Sequence, residues 1–204
     1  ALFENYVETG SSRTKSKFDF GPINTIISKN FVDDFRFRVS GRTTANLNPH
    51  LFWTGYYAYG TGSNRHYYGS EVTYSLNKKK NVPFEFPQRN IIFESARDVM
   101  SPADKYLIHN KDNMFMAFRV QKVQQMYFYN RQRLAFNYET DWGLRFNTEI
   151  KAESNEPTGD LYFKHVDNGS MVNKIRTTEL TVGIKYCPGQ TYINTKQQRW
   201  PVNL

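Results

Sequence analysis

The pattern that most constrains this chain is an alternation of apolar and polar residues with a period of two. Residues 35–40 read Phe-Arg-Phe-Arg-Val-Ser, and similar alternation occurs at residues 133–138, 144–152 and 179–185. Successive side chains of a β-strand point to opposite faces, so each segment predicts a strand with one apolar and one polar face. The chain is therefore predicted to be all-β.

Turn signals between these segments predict an antiparallel meander. Residues 50–59 and 66–77 are rich in aromatics and are joined by the Gly-rich segment 60–65, which is typical of a hairpin. Weaker strand patterns occupy residues 91–99 and 114–121, and another begins near Gln124. Together these segments predict about 8–10 strands.

Strand length and composition favour a membrane. Several segments reach the roughly 9–11 residues that a tilted strand needs to cross a bilayer. The aromatic content is 16% while the hydrophobic fraction is only 39%, a balance that suits aromatic girdles better than an aliphatic core. No apolar run reaches the roughly 18 residues of a transmembrane helix. The prediction is an antiparallel outer-membrane β-barrel, present as a partial barrel and located in the cell outer membrane.

The alternation assigns side chains to two predicted environments. The residues expected to face lipid or to form an aromatic girdle are Phe35, Phe37, Trp53, Tyr57, Tyr59, Tyr68, Leu134, Phe136, Leu144, Phe146, Leu180 and Val182. The polar residues expected to face the lumen, as a cross-strand charge ladder, are Arg36, Arg38, Glu71, Arg133, Arg145, Glu149, Glu179 and Lys185.

No motif in the sequence indicates catalysis, a cofactor or a metal site. The four histidines are far apart and lack closely spaced ligand partners. An outer-membrane esterase or lipase remains an alternative, since Ser70, His66 and Asn64 supply the residue types of a catalytic triad, without a supporting motif. The expected role is structural, transport or envelope assembly, without catalysis.

The net charge of +8 permits a second alternative, a soluble antiparallel β-sheet protein that binds a polyanion. Basic residues cluster at Lys78–Lys80, at Arg131 with Arg133, and at Lys196 with Arg199. Such runs are more often solvated turns than nucleic-acid sites, and nucleic acid is not an expected partner. The expected partners are outer-membrane lipid or lipopolysaccharide, and other envelope proteins.

An ordered series of short motifs resembles the Bacteroidota outer-membrane family called domain of unknown function 5686, from about Phe18 to the last residue. The motifs are Gly-Pro-Ile-Asn-Thr at 21–25, Thr-Thr-Ala-Asn-Leu-Asn-Pro-His at 43–50, Tyr-Ser-Leu-Asn-Lys-Lys at 74–79, Asp-Val-Met-Ser-Pro at 98–102, Asn-Glu-Pro-Thr-Gly at 155–159, Tyr-Cys-Pro-Gly at 186–189 and Pro-Val-Asn-Leu at 201–204.

The resemblance implies part of a large outer-membrane protein. Members of that family carry a carboxypeptidase-regulatory-like β-sandwich followed by a C-terminal barrel similar to the surface-antigen type of outer-membrane assembly proteins. No catalytic residues are established for the family. The expected organisation is a flexible lead-in over residues 1–17, followed by residues 18–204 as an antiparallel segment of a larger barrel.

Overall fold

The computed structural model describes residues 6–10, 15–102, 124–194 and 199–202, in which the chain is all-β and antiparallel. This confirms the predicted fold class at that level. The strands are β1 (Val7–Glu8), β2 (Phe18–Phe20), β3 (Ile27–Asn30), β4 (Asp34–Thr43), β5 (Leu51–Gly60), β6 (Arg65–Ser75), β7 (Arg89–Met100), β8 (Gln125–Glu139), β9 (Leu144–Gly159), β10 (Phe163–Lys164), β11 (Met171–Val172), β12 (Ile175–Tyr186), β13 (Thr191–Asn194) and β14 (Arg199–Val202). A 3-10 turn covers Ile23–Thr25.

Ten of these strands form one sheet in the order β1-β2-β4-β5-β6-β7-β8-β9-β12, with β3 also paired to β4. The pairs β10–β11 and β13–β14 form separate two-stranded sheets. No pairing among the described strands joins β12 to β1 or β3, so the sheet is open there. No helix in the described ranges has the length and apolar character needed to span a membrane.

The predicted strands correspond to long members of this sheet. The predicted hairpin is confirmed as β5 paired with β6, with Leu51 opposite Tyr74 and Gly60 opposite Arg65. The predicted strand at residues 114–121 lies outside the described residues. Within the predicted lead-in, β1 pairs with β2, and the Thr9 backbone N–H donates to Ser16 Oγ at 3.0 Å.

Side-chain contacts show that the sheet curls strongly. Arg36 on β4 binds Asp98 on β7 at 2.6 Å, although strands three positions apart would be separated by about 14 Å in a flat sheet. The end of β9 also lies close to the turn before β4, because a Cβ added to Gly159 would be 3.2 Å from the Phe31 ring. The face that carries Arg36 and Asp98 is therefore concave.

The turn between β6 and β7 is ordered by a buried lysine. Lys79 Nζ donates to the carbonyl oxygens of Glu85 and Pro87, at 2.7 Å each, and the Lys79 side chain is buried. The Glu85 carboxylate accepts the backbone N–H groups of Lys80 and Asn81 at 2.8 Å. The prediction of a solvated lysine run is thus wrong for Lys79, because backbone carbonyl groups of the same turn bind its ammonium group.

Candidate functional site

The convex face, which we call the outer surface, carries a continuous apolar row across six strands. The strand register places the row members directly opposite one another from β5 to β12. The row consists of Trp53, Val72, Phe93, Leu134, Ile150 and Leu180. Apart from the half-buried Val72, its members are between 40% and 70% exposed. An exposed apolar stretch of this extent marks a surface that meets lipid or another protein.

Three aromatic residues of the outer surface have hydrogen-bond partners for their polar tips. Trp53 Nε1 donates to Ser70 Oγ at 2.9 Å, and the Tyr59 hydroxyl donates to Asn64 Oδ1 at 2.9 Å. The Tyr57 hydroxyl lies 2.5 Å from His66 Nδ1. Buried or lipid-exposed aromatic residues need such partners, because hydrocarbon offers no hydrogen bonds. These aromatics therefore suit a surface with little access to water.

All twelve residues predicted to face lipid lie on this outer surface, where they are exposed or half-buried. All eight residues predicted to face the lumen lie on the opposite, concave face. The alternation that separated the two sets is preserved by the register, because every long strand pairs without an interruption that would reverse its faces.

The apolar stretch moves along the strands as it crosses the sheet. On β12 the middle of the stretch lies near Gly183. Following the residues that lie directly opposite one another across the sheet leads from Gly183 to Ser75 on β6. Ser75 in turn lies opposite His50, just before β5, and its N–H donates to the His50 carbonyl. On β5, where the stretch runs from Leu51 to Tyr59, its middle is Gly55. The shift is about one residue for each strand crossed, which corresponds to a tilt of roughly 35° for a 3.3 Å rise and a 4.8 Å strand spacing.

The concave face carries a network of ion pairs centred on Arg133 of β8. Its guanidinium binds Glu94 on β7 at 2.6 Å, Glu71 on β6 at 2.9 Å and Glu149 on β9 at 3.2 Å. Next to it, Arg131 binds Glu153 at 2.7 Å. Charge-assisted bonds that span four strands hold these strands in a fixed register.

A second network, here called the Arg36 cluster, comprises Arg36, Asp33, Asp98, Tyr56 and Tyr67. Arg36 makes two hydrogen bonds to the Asp98 carboxylate, at 2.6 and 2.9 Å, and its side chain is fully buried. The Tyr56 hydroxyl donates to Asp98 and the Tyr67 hydroxyl donates to Asp33, each at 2.5 Å. The Arg36 guanidinium also lies 4.7 Å from the Tyr67 ring centroid. The cluster fills the concave side between β4 and β7.

Beyond the Arg36 cluster the concave face forms a polar groove. One cavity of about 530 Å³ is lined by Asp19, Arg42, Glu71 and Lys80 among others. A second cavity of about 370 Å³ also reaches Glu71 and adds Arg38, Tyr56 and Tyr129. The groove therefore carries charges of both signs and offers no single preferred ligand charge.

Sequence reasoning missed several members of the concave face. Asp33, Glu94 and Asp98 were not assigned to it, and Tyr56 and Tyr67 point inward rather than joining the outer aromatics. The weak alternation of residues 91–98 could have placed Glu94 and Asp98 on the concave face, since it puts Ile91 and Phe93 on the opposite face.

The arrangement of Ser70, His66 and Asn64 differs from that of a catalytic triad. Ser70 and His66 share the outer surface of β6 four residues apart, a separation of about 13 Å along a strand. Each of the three side chains is hydrogen-bonded to an aromatic residue instead of to another of the three. Among the described residues, no group of three or more His, Cys, Asp or Glu side chains could hold a metal ion.

The fold defines an antiparallel all-β protein whose long sheet has one apolar convex face and one charged concave face. No family model, curated protein or solved structure matches the chain.

Proposed function

We propose that this chain is a membrane-spanning segment of an outer-membrane β-barrel, with a structural, transport or envelope-assembly role and no catalysis. The observation that carries the proposal is the exposed apolar row of the outer surface, which lies back to back with the charge-paired concave face. Spanning strands must have one face stable in hydrocarbon and the other in water, and a curled antiparallel sheet supplies both.

The slant of the apolar stretch supports the same proposal. Strands of outer-membrane barrels tilt by about 35–45° from the barrel axis, so a level hydrocarbon band crosses them obliquely. The tilt of roughly 35° that follows from the shift of about one residue per strand lies at the edge of this range. A soluble sandwich has no need for its apolar face to shift in step with the strands.

The polyanion alternative has less support. Of its basic residues, Arg131 and Arg133 are bound to glutamates, and Lys79 is buried against backbone carbonyls. Lys196 lies outside the described residues. The chemistry of the outer surface favours outer-membrane lipid or lipopolysaccharide as the partner, with other envelope proteins as candidates at the sheet edge and no nucleic acid. The resemblance to domain of unknown function 5686 agrees with this assignment.

The test is insertion into lipid vesicles, followed by tryptophan fluorescence quenching with lipids brominated in their acyl chains. We expect the wild-type chain to insert and its fluorescence to be quenched. Leu134→Arg, in the apolar row, should lose about 2–4 kcal/mol of folding free energy in the bilayer. Gln132→Arg is the matched control, since Gln132 lies on the same strand and the same outer surface but outside the apolar row.

The control should lose at most about 1 kcal/mol, because it sits nearer the polar boundary. A wild-type chain that stays monodisperse in buffer without detergent and is not quenched by brominated lipid would overturn the proposal. Equal insertion of Leu134→Arg and Gln132→Arg would do the same.

A further inference from the structure

Strand β12 presents a long edge with no strand beside it in the described part of the chain. It pairs with β9 on one side over twelve residues and ends the strand order of the sheet. Almost every residue of β12 is exposed on both faces, and the strand contains no proline. Natural proteins blunt or cover edges of this kind, because free backbone groups recruit another strand.

The backbone pattern shows which residues of β12 point toward the free edge. The Cys187 N–H donates to the Gly143 carbonyl on the β9 side at 2.8 Å. Hydrogen-bonded positions alternate along an antiparallel pair, so the odd-numbered residues of β12 bond to β9. The even-numbered residues direct their N–H and C=O groups outward, and they are the residues whose side chains lie on the outer surface, among them Leu180, Val182 and Ile184.

The inward-facing side chains give the edge a charge pattern. Lys185 lies directly opposite Arg145 of β9, which has the same charge. Arg145 binds Glu139, on β8, at 2.6 Å. Among the described residues Lys185 makes no salt bridge of its own. Six residues earlier, Glu179 binds Lys151 at 2.7 Å. The edge is therefore basic at one inward position and acidic at the other.

We propose that the β12 edge binds an antiparallel amphipathic strand of complementary sequence. That strand carries apolar residues opposite Leu180, Val182 and Ile184, a carboxylate opposite Lys185, and no carboxylate opposite Glu179. Opposite charges directly across an antiparallel pair stabilise it, and like charges destabilise it. The occupant is thus defined by a two-faced pattern with an acidic residue at one fixed position.

A second copy of the chain does not fit this edge in a shared membrane. Antiparallel pairing of two identical β12 strands relates the copies by a two-fold axis perpendicular to the sheet. Such an axis lies in the membrane plane and inverts one copy relative to the other. Only this exclusion rests on the proposed membrane location; the edge pattern itself does not.

The experiment measures how much of a synthetic peptide becomes disulfide-linked to Cys187 of the full chain, in detergent micelles and in lipid vesicles. The matched peptide has eleven residues, with Cys opposite Cys187, Glu opposite Lys185, Thr opposite Glu179 and Val at the outward positions. Cys187 is the only cysteine of the chain, and its position opposite the peptide is a non-hydrogen-bonded one. There the Cα atoms are about 4.5 Å apart, within the range of a disulfide. Mild oxidation forms the bond as both thiols lose hydrogen to the added oxidant, oxidised glutathione.

Two control peptides test the pattern. In the charge-swapped peptide, Lys lies opposite Lys185 and Glu lies opposite Glu179, and in the shifted peptide the cysteine is moved by one residue to the other face. We expect roughly fivefold more capture of the matched peptide than of the charge-swapped one, because the swap makes the attractive pair at Lys185 repulsive and adds a repulsive pair at Glu179. The shifted peptide should not be captured, because adjacent residues face opposite sides.

The variant Lys185→Glu should reverse the preference between the matched and charge-swapped peptides. Because Lys185 is exposed, this substitution should leave the fold of the chain unchanged. Equal capture of all three peptides, an unchanged preference in Lys185→Glu, or disulfide-linked pairs of the chain itself in vesicles would overturn the proposal. Lipid quenching in the same samples reports insertion separately, so a chain that inserts but shows no selective capture removes only the edge proposal.

Discussion

The two halves of the large sheet treat the same kind of concave-face residue differently. Between β4 and β7, Arg36, Asp33 and Asp98 have no exposed surface and are bound to one another and to tyrosines. Between β9 and β12, the corresponding Lys151–Glu179 pair joins neighbouring strands, and the Glu179 side chain is 47% exposed. Polar residues that share one face therefore form a buried cluster in one half and a partly exposed pair in the other.

The difference follows from curvature rather than from residue type. Where the sheet curls enough to bring β4 against β7, side chains from strands three positions apart meet and exclude water. On β12 the inward-facing charged residues Glu179 and Lys185 are exposed, so their charges stay hydrated. Charges in the first region depend on their partners for stability, while those in the second have water as an alternative.

The largest expected difference comes from removing one carboxylate in each half. Asp98→Ala leaves the Arg36 guanidinium buried with reduced compensation, which should cost about 3–5 kcal/mol of unfolding free energy. Glu179→Ala removes a partly exposed partner and should cost at most about 1 kcal/mol. Urea unfolding in detergent micelles measures both, and equal losses would show that the two halves are not distinct.

On the outer surface the two halves should instead behave alike. Phe93→Lys on β7 and Val182→Lys on β12 each replace an outer-surface residue near the middle of the apolar stretch on its own strand. Each should cost about 2–4 kcal/mol in a bilayer, because under the proposed membrane location both charges would lie in hydrocarbon. Folding equilibria in lipid vesicles test this, and a loss confined to Phe93→Lys would mean that β12 does not meet lipid.

A smaller contrast is expected at two glycines. A Cβ on Gly60 would collide with the Asp33 side chain, which the Arg36 cluster holds in place. Gly60→Ala should therefore cost about 1–3 kcal/mol, as overpacking does. The atoms nearest to a Cβ on Gly183 would be those of the Asn147 side-chain amide, at 2.7 Å, and that amide can rotate away. Gly183→Ala should cost less than half as much in the same unfolding experiment.

The sequence predicted the strands and their two faces because alternation is a local property. Phe35, Leu144 and Leu180 begin patterns that remain legible in a few residues each. The Arg36–Asp98 pair was not predictable, since its partners are 62 residues apart and meet only because the sheet curls. The burial of Lys79 was equally hidden, because carbonyl groups of its own turn bind it.

Strands β8 and β9, of 15 and 16 residues, are joined by a turn of only four residues, 140–143. So short a turn allows the two strands little freedom to shift relative to each other. The loss of one residue at the start of β9, ahead of Phe146, would turn Phe146 and Ile150 toward the concave face and Glu149 toward the outer surface. Loss of two residues would keep every following side chain on its own side. Length changes within these strands should therefore be tolerated in even steps, while odd steps exchange the convex and concave faces for the rest of the strand.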